Sequence, residues 1–260
     1  MPSERARREW SRYEGTVQRN LWLQFRRRFL SRALQDLPSR PAVILEVGPG
    51  PGRFSDLLVS TGRPVILLDL SLAMIREGRG LHPATRPGGP HWVLGDALRL
   101  PVPPRSLAAL VALGNVLGFA GSRAGLLLRE WDESLAPGGV FAIETSLLAP
   151  AKGEALSPRA PAAGREGRRP LTVLRTPKVS YFSRKELDDW FARLGWRLEE
   201  ATPVAPRAGG SPTDAQQALH RAGGDWRTLL EEEERAGREA ADSELPGPWL
   251  FRGRAHLEDG

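Results

Sequence analysis

The stretch Pro41 to Phe54, PAVILEVGPGPGRF, constrains this 260-residue chain more than any other. Ala42 to Val47 is a short, nearly uninterrupted apolar run rich in β-branched residues, which suits a central strand covered on both faces by helices. Gly48, Gly50 and Gly52 follow at alternate positions with Pro49 and Pro51 between them, and Arg53 to Ser60 reads as the start of a helix. Glycine is needed where the backbone turns sharply, or where a ligand comes closer than a Cβ would allow. Strand, glycine turn and helix N-terminus in succession describe a ligand loop at the carboxyl end of a strand in an α/β sheet.

The residues around the glycines narrow the ligand. A dinucleotide fingerprint would place a small residue where this chain has Arg53, which argues against NAD and FAD. A phosphate-binding P-loop would carry Lys followed by Ser or Thr after the last glycine, and neither is present. Instead Glu46, two residues before Gly48, completes E-x-G-x-G-x-G, which resembles the first motif of the class I methyltransferases that use S-adenosylmethionine (SAM). Pro64 to Leu70 reads as a second strand with Asp69 at its end, about twenty residues past the loop, where an acid accepts both hydroxyls of a ribose. Ser71 is placed to cap the next helix, and LLDLSLAMI resembles the family's second motif. Two further segments, VLGDALRLP after a third strand at His91 to Leu94 and LAPGGVFAIETS around a fifth at Val140 to Thr145, resemble later motifs. Together the four span residues 42 to 145 in the family's order.

The resemblance implies an α/β fold, a Rossmann-like three-layer sandwich with a mostly parallel seven-stranded sheet and an antiparallel last strand. It implies an enzyme that transfers a methyl group from SAM, as co-substrate, to a nucleophilic acceptor. Gly48, Gly50 and Gly52 would lie near the methionine portion, with Glu46 supporting the loop or the methionine ammonium. Asp69 would bind the ribose, Asp96 and the backbone NH of Ala97 the adenine, and Asn115 would face the methionine end. Leu70 and Met74 would pack near the adenine, a place that core packing explains equally well for Met74. ALGNVLGF, after a fourth strand at Leu107 to Leu113, resembles the corresponding segment of small-molecule methyltransferases, including those acting on glycine and related amines. Asn/Asp-Pro-Pro-Tyr, the signature of enzymes that methylate nucleobase or glutamine amines, is absent, so a small-molecule acceptor is favoured. Tyr13, Glu144 and Tyr181 are the candidates for a general base.

Composition sets the remaining bounds. Without cysteine the chain has no disulfide, thiolate metal site or cysteine nucleophile, and His82 and His91 have no second ligand at metal spacing, so no metal is expected. The longest apolar run, Ser106 to Ala120, is too short to span a bilayer and no signal peptide is evident, which reads as a cytoplasmic protein without a membrane partner. The net charge of +6 is local, since residues 1 to 40 hold ten arginines against four acids. That segment reads as helix over 1 to 37, with Leu21, Phe25, Phe29, Leu30, Ala33 and Leu34 at helical spacing and Arg26, Arg27, Arg28 and Arg32 between them. It is open to three readings: an amphipathic helix with a solvated basic face, a lid bearing Trp10, Tyr13 and Trp22, or an RNA-contacting arm. The domain organisation follows as an N-terminal helical lid or cap over 1–40 and a methyltransferase domain over 41–260. The latter carries a loop insertion at about 147–170 and an acidic helical insertion at about 213–245. Alternatives to a small-molecule methyltransferase are a tRNA or rRNA methyltransferase binding nucleic acid through the basic helix, and a non-catalytic SAM-binding partner subunit.

Overall fold

Four short apolar runs of four to six residues and one longer strand form the parallel part of the sheet in a computed structural model that describes residues 17–40, 43–82, 89–148, 179–205, 212–241 and 245–256. The strands are β1 (Val43–Val47), β2 (Val65–Asp69), β3 (His91–Leu94), β4 (Leu107–Ala112), β5 (Leu135–Leu147), β6 (Trp196–Pro203) and β7 (Gly247–Ala255), in the order β3-β2-β1-β4-β5-β7-β6. β7 runs antiparallel to both β5 and β6, while β1 to β5 pair in parallel. The chain therefore has the Rossmann-like methyltransferase fold, with its last strand reversed. Chain order reverses between β1 and β4, and a doubly wound sheet opens its ligand crevice at such a point, beyond the carboxyl ends of the strands.

Alternate residues of each strand serve opposite cores. Ile44, Ala109, Val111 and Leu250 face one helical layer, made by α1 (Val17–Ala33), α2 (Ser55–Val59), α3 (Leu72–Leu81), α7 (Pro212–Arg221) and α8 (Trp226–Glu239). Leu45, Leu110, Phe141 and Phe251 face the other, made by α4 (Val116–Ala120), α5 (Ala124–Ser134) and α6 (Arg184–Arg193). Every residue of β4 is buried, as two-sided cover requires. Ser183 and Glu186 close a capping box at the start of α6, and Gly195, at φ +69°, ends the turn that follows it.

Several sequence expectations need correction. The acidic helical insertion expected at about 213–245 is two helices among the described residues: Gly223 and Gly224, at φ +66° and +78°, terminate α7, and Asp225 caps α8 by accepting from the amides of Arg227 and Thr228. The acidic run of α8 is not wholly solvated either, because Glu233 is buried and Glu234 pairs with Arg28 and Arg32. Leu126 is 58% exposed, and the buried face of α5 is Ala124, Leu127, Leu128 and Trp131. β5 begins at Leu135 rather than Val140, taking in the Pro137–Gly139 turn as an irregularity, so that Leu107 pairs with Leu135 but Ala109 with Val140.

The basic face of α1 is also not a free solvated surface. Leu21, Phe25, Phe29 and Leu30 are fully within the core, and the arginines between them reach carboxylates on other elements. Arg26 pairs with Glu144 of β5, Arg27 with Asp56 of α2, Arg28 with Glu234, and Arg32 with both Glu200 of β6 and Glu234. Trp10 and Tyr13, and the insertion at about 147–170 apart from its first two residues, lie outside the described residues.

Candidate cofactor cleft

Three successive left-handed glycines shape the loop after β1, with φ of +65°, +56° and +79° at Gly48, Gly50 and Gly52. They differ in what surrounds them. A Cβ on Gly48 would come within 2.8 Å of Val116 Cγ2, and one on Gly52 within 2.4 Å of Ser55 Oγ and 2.9 Å of the Trp92 ring, whereas a Cβ on Gly50 would meet nothing within 4 Å. Gly50 faces open space; Gly52 is a packing glycine. The Gly48 amide donates to the Leu68 carbonyl at 2.8 Å, and the Gly50 amide donates to Asp69 Oδ2 at 3.0 Å. Asp69 Oδ1 accepts from the Ser71 amide at 2.8 Å, so the carboxylate ties the loop to the end of β2 and keeps one lone pair on each oxygen for a ligand.

A cleft of about 340 Å³ opens between this loop, the ends of β2 and β3, and the segment after β4. That lies within the range of about 300–1,000 Å³ usual for small-ligand pockets. Gly48, Gly50, Asp69, Leu70, Asp96 and Ala97 line it, so the structure brings six of the ten expected cofactor residues to one place. Leu70 is 75% exposed there, which is a cost in water and a gain against a flat ring. Asp96 Oδ1 accepts from the Leu98 amide at 3.0 Å.

The other four residues do not line the cleft. Gly52 packs against Ser55 and Trp92, and Met74 is half-buried on α3. Asn115, left-handed at φ +66°, turns its Oδ1 to the Thr145 hydroxyl and the Ser146 amide, both at 3.1 Å, and so pins the segment after β4 to the end of β5. Glu46 is buried, and its Oε2 has no hydrogen-bond partner. Burial, and secondarily the Asp69 carboxylate nearby, push its carboxyl up to about 8.

Two of the three base candidates are also placed elsewhere. Both oxygens of Glu144 accept from Arg26, and Oε2 also accepts from the Gly114 amide at 3.1 Å. Tyr181 is half exposed and outside the cleft lining, and Tyr13 lies outside the described residues. Sequence reading missed the opposite wall, formed by Val116, Phe119, Ala120, Arg123 and Leu127. They come from two helices, Val116, Phe119 and Ala120 on α4 and Leu127 on α5, with Arg123 in the turn between, so no single helical repeat announces them. Among the described residues no group of three or more His, Asp or Glu side chains is placed to hold a metal ion, and no helix is long and apolar enough to cross a membrane.

The residues present fit an adenosyl group. A carboxylate with spare lone pairs stands where vicinal hydroxyls can reach it, a second acid adjoins a backbone amide, apolar walls face each other, and the glycine at the floor has no side chain to obstruct.

Comparison with known proteins agrees with this geometry. A family model described as a methyltransferase domain matches residues 22–201. Comparison with curated proteins finds no match. Among solved structures, a SAM-dependent methyltransferase from Mesorhizobium loti is 21% identical with a TM-score of 0.55, over 93% of this chain and 99% of that one. A geranyl diphosphate C-methyltransferase from Streptomyces coelicolor, with S-adenosylhomocysteine bound, is 15% identical with a TM-score of 0.59, over 88% of this chain and 76% of that one. A complex of the Haloferax volcanii Trm112 methyltransferase activator with its methyltransferase partner is 17% identical with a TM-score of 0.53, over 89% and 90%. With the matched domain covering most of the chain, the protein belongs to the class I, Rossmann-like SAM-dependent methyltransferases.

Proposed function

We propose that the protein methylates a small-molecule acceptor, with SAM held across the ends of β1 to β4. In this reading Asp69 takes the ribose hydroxyls through its spare lone pairs, Asp96 and the Ala97 amide take the adenine edge, and Leu70 covers the adenine face. The Gly48–Gly52 backbone lies along the methionine portion, and Gly50 admits the close approach. Glu46, Gly52, Met74 and Asn115 act from behind, through the loop and the strand ends they support. Bound SAM supplies a sulfonium methyl that is already electrophilic. The protein's part is to align the acceptor lone pair with that carbon and to exclude water. No side chain is assigned as a base, and the engagement of Glu144 by Arg26 argues against that role for it.

The observation that carries the small-molecule reading is the internal pairing of Arg26, Arg27, Arg28 and Arg32, which turns the most basic helix of the chain into a packing element. A phosphate-binding arm would present those charges to solvent. The Streptomyces coelicolor structure, similar in fold, is a small-molecule enzyme. The test is a screen with radiolabelled SAM against fractionated metabolites and against RNA. Label in a metabolite fraction is the expected result, and label in RNA alone would overturn the reading.

A second reading has one observation behind it: a structure of the same fold is a complex with an activator. As a partner subunit the protein would bind SAM without labelling any fraction until a second protein is supplied.

A further inference from the structure

We propose that Arg26 is a positioning residue for the cofactor cleft, fixing from outside it the wall that follows β4. The inference rests on the reading of the cleft as the SAM site. Arg26 lies midway along α1 with its side chain 9% exposed. Its Nε donates to Glu144 Oε2 at 2.6 Å and its Nη2 to Oε1 at 2.5 Å, while the guanidinium lies 5.5 Å from the centre of the Trp22 ring. Arg26 itself is not among the residues lining the cleft.

Its influence passes through Glu144. That carboxylate, 3% exposed, accepts the Gly114 amide on the same Oε2 that Arg26 holds. Gly114 lines the cleft. Gly114 and Asn115 are successive left-handed residues, at φ +84° and +66°, a conformation that glycine adopts freely and asparagine more readily than other side chains. Two anchors on β5 hold them: Glu144 for Gly114, and the Thr145 hydroxyl with the Ser146 amide for Asn115. Arg26 donates to both oxygens of this buried carboxylate, and so holds in place the Oε2 that accepts the Gly114 amide. Remove the guanidinium, and Glu144 loses the two donors that fix its orientation. Gly114 then loses its anchor.

The next residue of α1 reaches a different element. Arg27 donates to both oxygens of Asp56, at 2.9 and 2.6 Å, and to the carbonyl of Arg53 at 3.4 Å, just beyond the glycine turn. This pairing holds Asp56 below the usual carboxylate range. Two consecutive residues of one helix thus hold different elements, Arg26 the segment after β4 by way of Glu144 and Arg27 the start of α2. Because the Arg27 pair is largely exposed, water and salt weaken it. The buried Arg26 pair is the stronger hold.

The experiment compares Arg26→Met with Arg32→Gln in three readouts: S-adenosylhomocysteine affinity by calorimetry, hydrogen exchange of the Gly114 amide without ligand, and stability in urea. Arg32 pairs with Glu200 and Glu234, neither of which lines the cleft, so its variant controls for lost stability alone. Arg26→Met should weaken binding by at least about tenfold and speed Gly114 exchange by at least about tenfold relative to the amides of β1, the loss expected for one charge-assisted hydrogen bond. Arg32→Gln should leave both within about twofold. Arg26→Met/Glu144→Met, which removes both charges, should recover stability but not affinity. Wild-type affinity in Arg26→Met, or an equal loss in Arg32→Gln, overturns the inference. Should Arg26→Met not fold, Arg26→Lys keeps the charge with poorer geometry, and unchanged Gly114 exchange in it overturns the inference as well. If the wild-type protein binds no S-adenosylhomocysteine, the cofactor reading falls; the exchange data then still report separately whether Arg26 fixes Gly114.

Discussion

Replacing Glu46 by Gln should flatten the dependence of folding stability on pH. Glu46 is 2% exposed, its Oε2 has no hydrogen-bond partner, and Asp69 stands close enough to oppose its ionisation. The folded state therefore keeps the proton up to about pH 8, whereas the unfolded chain releases it near 4.5. Between these values the folded state binds more protons, so stability must fall as pH rises. The contribution is whole below about pH 4.5 and is lost progressively up to about pH 8, where the loss levels off. A shift from 4.5 to about 8, at about 1.4 kcal/mol per unit, sets the full swing at about 5 kcal/mol. Gln has nearly the same shape and cannot ionise. Urea unfolding of both proteins at pH 5 and pH 8 should give similar stabilities at the lower pH and a gap of several kcal/mol in favour of Glu46→Gln at the higher. Other titrating groups cancel in the difference. A gap that stays constant with pH would mean that Glu46 is ionised and solvated in the folded protein, and the reasoning would fail.

Asp69→Ala should weaken SAM binding by at least about tenfold, since it removes the ribose acceptor and the anchor of the Gly50 amide together; unchanged affinity by calorimetry would remove Asp69 from the ribose site. Gly52→Ala should cost about 1–2 kcal/mol for the left-handed backbone and more for the contact with Trp92, whereas Gly50→Ala has room for its methyl and should show its loss mainly as weaker cofactor binding. Equal stability losses in urea would contradict the packing of Trp92 on Gly52. Deleting residues 1–37 removes Leu21, Phe25, Phe29 and Leu30 from the core, on the order of 6–12 kcal/mol at about 1.5–3 each, against a usual total of about 5–15. No cooperative unfolding transition is expected of the truncated chain, and observing one would show that α1 is dispensable to the core.

What could be read beforehand was whatever the chain states locally. The glycine loop, the acid closing β2 and the cap at Ser71 each fall within a few residues, and each forms as expected. The break between α7 and α8 was equally local. Gly223, Gly224 and Asp225 spell a helix stop and a helix start, but they are outweighed by the long charged pattern on either side. The role of Asn115 was not legible in the same way. Its place after β4 fits a residue facing a ligand, and only the fold shows Thr145 and Ser146 near enough to take its Oδ1 instead. A side chain that can bond either a ligand or a neighbouring strand is assigned by geometry, not by position in a motif.

Charge misleads for the same reason, and more sharply. The surplus of six positive charges in the first forty residues belongs to one segment of sequence, while the remainder of the chain is balanced. In the folded protein the arginines of α1 take up Asp56, Glu144, Glu200 and Glu234 from that balanced remainder. The positive charge cannot vanish; it is transferred to arginines elsewhere whose share of acids α1 has claimed. Arg123 at the mouth of the cleft, and Arg129 and Arg193 beside the groove between α5 and α6, are exposed. Arg76 of α3 and Arg221 of α7, in the layer that α1 belongs to, are exposed as well, so among the described residues the uncovered positive charge is spread over both faces of the sheet rather than gathered on the helix in which the sequence concentrates its arginines.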